Sequence, residues 1–164
     1  MRVRSRLSAP SAGEISTDPR PIVLATLSVR IHPEAERMAL DTALELGARL
    51  IIANLMTLPP YPATIMLARE YATLPHEEDL EAVRATAARA GRLGIPTELL
   101  RISSRRPVAA LLELIVERQA SLVVLGPDVR RGRRLELRLA ARRLRRQADC
   151  LIWLPPTSAS GGLT

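Results

Sequence analysis

The residues best able to do chemistry lie together near the C-terminus, in "SLVVLGPDVRRGRRLELRLAARRLRRQADCLIWLPP". An apolar run ends at Gly126, and Arg130, Arg131, Arg133 and Arg134 follow before a helical pattern begins. A strand ending in glycine before a helix often cradles a phosphate, because loop amides and the helix N-terminus favour an anion. Here guanidinium groups crowd a turn that would want glycines. A guanidinium binds phosphate or carboxylate as a planar fork, so side chains could replace the amides. Arg105 and Arg106, after an earlier apolar run, are expected on the same rim.

Other reactive residues carry less. Cys150 is the only cysteine, beside an apolar run, with no His, Asp or Glu in an obvious partnering motif. It reads as a small core residue, not a nucleophile. His32 and His76 fall in loops without ligand spacing, so no metal site is expected. No catalytic residue is assigned.

These residues need a scaffold, and 164 residues fit one domain with a sizeable core. Aromatic content is 2%, so the core must be built from Leu, Ile, Val, Ala and Met. Few aromatics also means few stacking platforms for single-stranded nucleic acid. The net charge is +7 and all 24 basic residues are arginine, which fits either a compositional bias or anion recognition. A lone cysteine allows no intrachain disulfide and suits a reducing cytoplasm. No apolar run approaches the ~18 residues that span a bilayer. Residues 1–20 lack the apolar stretch of a signal peptide and read as a basic mobile arm. Residues 21–156 form the expected domain, and 157–164 a flexible tail.

The chain alternates apolar runs with helical patterns. "PIVLATLS", "ARLIIANLM", "IPTELLRIS", "SLVVLG" and "CLIWL" read as five strands, apolar on both faces. The first helix carries Ala35, Met38, Ala39, Thr42 and Leu46 on one face and stops at Gly47. A second helix, from about 75 to 93, turns Leu80, Val83, Ala87 and Ala90 inward. A third has Val108, Leu111, Leu112 and Ile115 as its stripe, and a fourth has Leu137, Ala140, Ala141 and Leu144. Between the second strand and second helix lies a long proline-rich connection, with a short helix expected near Ile65 to Tyr71. This alternation predicts an α/β fold, a doubly wound parallel sheet with helices on both faces.

Three common families of that class fail on their motifs. The turn after the first strand, "ATLSVRIHPE", has no glycine, so the G-x-G-x-x-G dinucleotide fingerprint is missing. Leu27 and Ser28 stand where a receiver domain would hold acidic residues, and no lysine serves it or a P-loop. The chain instead resembles the universal stress protein family over Pro21 to Pro156. The resemblance rests on "HPEAERMALDTALELGARLIIANL", on "GIPTELLRISSRRPVAALLELIVERQASLVVLG", and on "RRQADCLIWLPP" with Cys150 in the usual cysteine place. It implies a five-stranded sheet of order 3-2-1-4-5, usually a homodimer, and ATP binding in some members.

The ATP-binding pattern of that family is an Asp at the end of the first strand, then G-x-x-G, nine residues and G-[ST]. This chain departs from it. Leu27 takes the Asp place, Val129 the second glycine place, and the G-[ST] pair falls near Arg138 and Leu139. The pocket is therefore expected to be largely degenerate. If a nucleotide binds, the resemblance and the arginine loop place it on Thr26, Leu27, Gly126, Arg130, Gly132 and Arg133. Otherwise the protein acts as a non-enzymatic homodimer through protein contacts. The interface is expected on the uncharged edge strand, at Leu151, Ile152, Trp153 and Leu154. Arg134, Arg138, Arg142 and Arg145 share a helix face, expected to be solvated and dispensable for folding. That face could meet an acidic protein; nucleic acid is the weaker fit, because no reading head accompanies the charge.

Overall fold

The computed structural model describes residues 18–58, 77–128 and 134–156. The expected helix near Ile65 to Tyr71, His76, and Val129 to Arg133 lie outside the described residues. Nine elements alternate in chain order. They are β1 (Ile22–Thr26), α1 (Pro33–Leu46), β2 (Leu50–Thr57), α2 (Glu77–Arg92), β3 (Thr97–Ser104), α3 (Pro107–Arg118), β4 (Leu122–Leu125), α4 (Arg134–Gln147) and β5 (Leu151–Trp153). The strands form one parallel sheet in the order β3-β2-β1-β4-β5. The expected fold is the observed one.

Strand residues alternate between two cores, because successive side chains point to opposite faces of a pleated sheet. Ile22 and Leu24 join α1 and α2 through Ala35, Ala39, Leu40, Val83 and Ala90. Val23 and Ala25 join α3 and α4 through Leu111, Leu114, Ile115, Leu137, Ala141 and Leu144. Each face of the sheet therefore carries two helices. Leu144 is fully buried, and truncating such a leucine to alanine costs about 2–5 kcal/mol.

Local chemistry sets the helix ends. His32 caps α1, its Nδ1 accepting the Glu34 amide at 3.3 Å, and Pro33 fills the first turn, where no amide partner is lost. Gly47, at φ 60°, closes α1 in the left-handed region that glycine enters freely.

Three helix and strand expectations need correction. Leu46 is 54% exposed, because it ends α1 beside the Gly47 turn while Ala48 takes the buried place. In α3 the buried residues are Leu111, Leu114 and Ile115, with Val108 and Leu112 only partly covered. Strand β3 is not apolar on both faces. Leu100 and Ile102 pack inward while Leu99 and Arg101 are exposed, as an edge strand with one uncovered face allows.

Candidate functional site

In an open α/β sheet, ligands bind beyond the carboxyl ends of the strands where the strand order reverses, here between β1 and β4. On the β1–β2 side of that place, the polar groups are bonded to one another. Thr26 is fully buried, and its Oγ1 donates to the Val29 carbonyl at 2.6 Å. Asn54, opposite Thr26 in register and 4% exposed, accepts the Ser28 amide on Oδ1 at 3.1 Å. Ser28 holds a left-handed conformation (φ 55°), and its hydroxyl donates to the Leu55 carbonyl at 2.9 Å. These bonds stabilise a backbone geometry that a non-glycine residue seldom adopts. Leu27 packs against the core shared with α3 and α4.

Two loops close over the reversal point. The His32 amide donates to the Gly126 carbonyl at 2.8 Å and the Asp128 amide to the Arg30 carbonyl at 2.9 Å, around an antiparallel bridge between Ile31 and Pro127. The pairing draws the β4 loop onto the start of α1. A Cβ on Gly126 would lie 2.1 Å from the Ala35 Cβ. Glycine is thus required there for loop–helix packing, whether or not a phosphate ever approaches.

On the other side, the surface opens. A cavity of about 440 Å³ lies between α4 and the segment after β5. Arg134, Arg138 and Arg145 line one wall above Leu137 and Ala141, while His32, Pro127, Asp128 and Leu154–Pro156 complete it. Among the described residues, no ion pair engages those three arginines. The arginine face was expected to be wholly outward. Its inner flank instead borders this cavity, because Arg134, Arg138 and Arg145 sit next to the buried Leu137–Ala141–Leu144 stripe on the helical wheel.

Beyond the cavity, β5 forms the sheet edge. Ile152, Leu154 and Cys150 face the core under α3 and α4, and Trp153 packs on the opposite core. Leu151 is 74% exposed. Burial pushes the Cys150 thiol up; Arg20 opposes this and Asp149 adds to it, so the thiol stays protonated near neutral pH.

A model of the universal stress protein family matches residues 19–154, well over half of the chain. The chain belongs to the universal stress protein family. Solved universal stress proteins share its fold. One from Burkholderia pseudomallei is 23% identical, with 84% of this chain and 96% of that one covered and a TM-score of 0.58. The protein UspA from Lactobacillus plantarum is 15% identical over 82% and 97% of the two chains, with a TM-score of 0.64. One from Archaeoglobus fulgidus, solved in complex with dAMP, is 16% identical over 83% and 97%, with a TM-score of 0.54. No curated protein sequence matches the chain.

Within the universal stress protein fold, the expected residues separate. Thr26, Leu27 and Gly126 gather near the reversal point, whereas Arg130, Gly132 and Arg133 lie outside the described residues. Arg105 and Arg106 share the carboxyl edge of the sheet but follow β3. That is three strand spacings from β4, or roughly 14 Å, so they do not border the cavity. Sequence reasoning missed Ser28, Asn54 and His32. Asn54 had a visible signal, an amide inside the apolar run "LIIANLM".

Proposed function

We propose that this universal stress protein is a non-enzymatic homodimer that acts through protein contacts, with the family's nucleotide site largely given up. One observation carries the proposal: β5 is an uncharged sheet edge with Leu151 74% exposed. A bare apolar edge is a template for another strand, and a second copy paired antiparallel about a two-fold axis would cover it. Trp153 would then lie near the axis, as large aromatics often do in interfaces. The outer arginines Arg142, Arg143 and Arg146 are exposed and suit an acidic protein partner. Sedimentation at micromolar concentration tests the reading: a dimer is expected, and a monomer overturns it.

Loss of the nucleotide site is supported by the β1–β2 end. Thr26, Ser28 and Asn54 already have partners, and Leu27 offers no carboxylate. A second reading makes the protein an adenine-nucleotide or other anion sensor that grips phosphate through Arg130 and Arg133. It is favoured by similar universal stress proteins solved with cAMP and dAMP. Calorimetry with Mg-ATP decides between them. We expect no saturable heat up to millimolar ligand, the weak limit near about −4 kcal/mol, and tight binding that survives moderate salt establishes the second reading.

A further inference from the structure

The cavity beside α4 has a use that the protein-contact reading leaves unassigned. We infer that it binds a small organic anion, a phosphate or carboxylate head on a compact apolar body, held by Arg134, Arg138 and Arg145. Its volume of about 440 Å³ falls within the ~300–1,000 Å³ of small-molecule sites. Its lining divides by chemistry: three guanidinium groups supply forked donors, and Leu137, Ala141, Leu154, Pro155 and Pro156 supply an apolar surface. Among the described lining residues, Asp128 is the one carboxylate against three arginines, so their net charge is positive.

Among the described residues, these arginines also have no ion-pair partner. Arg134 and Arg138 are four residues apart on one helix, where like charges repel. No described carboxylate relieves them, and a bound anion would. A nucleotide is the poorer fit. At the β1–β2 end the polar side chains are bonded to their own backbone, and Thr26, Leu27 and Asn54 do not line the cavity. The anion is therefore recognised by its charged head and a short apolar neighbour, not by a base.

Phenyl phosphate, inorganic phosphate, phenol and AMP, each titrated calorimetrically into the full chain, test this. Phenyl phosphate should bind one site saturably, more tightly than inorganic phosphate, with phenol silent and AMP no tighter than phenyl phosphate. Joint Arg138→Gln and Arg145→Gln replacement should weaken phenyl phosphate at least about tenfold. Joint Arg142→Gln and Arg146→Gln replacement removes the same charge from positions off the cavity and should leave affinity within about twofold. Equal losses in the two variants would mean a diffuse surface field and overturn the site. So would the absence of saturable phenyl phosphate binding, a result that leaves the dimer reading untouched. AMP binding more than about tenfold tighter than phenyl phosphate would overturn the ligand class and the degenerate-pocket reading together.

Discussion

The two edges of the sheet handle the same hazard differently. The β3 edge runs eight residues and carries charge: Glu98 accepts two bonds from Arg118, at 2.9 and 3.1 Å, and Arg101 stands exposed on the other face. The β5 edge is three residues long, with no charge and an exposed leucine. Charged side chains discourage a second strand from pairing, and β5 lacks that protection, although its short length limits how many backbone bonds a partner could add. The contrast teaches that charge protects the β3 edge and not the β5 edge, which is where the proposed dimer would form.

The sharpest way to break the comparison is Leu151→Glu. Leu151 is already exposed in the protomer, so folding should be unaffected. In the proposed dimer, burying two unpaired carboxylates near the two-fold axis should cost about 3–5 kcal/mol, more than a hundredfold in dimerisation. Sedimentation should show a folded monomer, and an unchanged dimer would move the interface elsewhere. Trp153→Arg should also dissociate the dimer, but Trp153 packs on a core, so unfolding would accompany it.

Gly126→Ala separates stability from association. The new methyl meets Ala35 at 2.1 Å, and overpacking of this kind costs about 1–3 kcal/mol. The melting temperature should fall by about 2–4 °C per kcal/mol while the proposed dimer persists, and Ala35→Gly should restore part of the loss. A neutral Gly126→Ala would mean that the loop is not held against α1.

Glu98→Val with Arg101→Val should make the quiet edge resemble the bare one. Losing the half-exposed ion pair costs about 1 kcal/mol or less, so the visible effect should be new concentration-dependent association in light scattering. If the variant stays as soluble as the parent, edge charge is not what keeps β3 single. The smallest effect is expected from Arg138→Gln with Arg142→Gln, because both side chains are exposed. Thermal melting should shift by no more than about 0.5 kcal/mol each; a large drop would mean these arginines are paired or buried.

The sheet was legible in the sequence because buried strands and amphipathic helices leave periodic apolar patterns, and the family resemblance supplied the strand order. "IVLAT" and "LVVL" are uninterrupted apolar or small runs, and both proved wholly buried. The departures at Leu27 and Arg138 were likewise readable, because the family resemblance supplied the pattern against which they stand out. What those departures mean was not. The partners of Thr26, Ser28 and Asn54 depend on two loops meeting a neighbouring strand, which no local pattern encodes. The reason for Gly126 is the approach of Ala35 from another element. The arginine helix shows the division most plainly. Its sequence determined that the charges share a face; only packing against the segment after β5 decided that Arg134, Arg138 and Arg145 border a cavity. Side-chain periodicity is set along one helix, but a cavity wall is made by chain distant in sequence, and its position follows from tertiary packing.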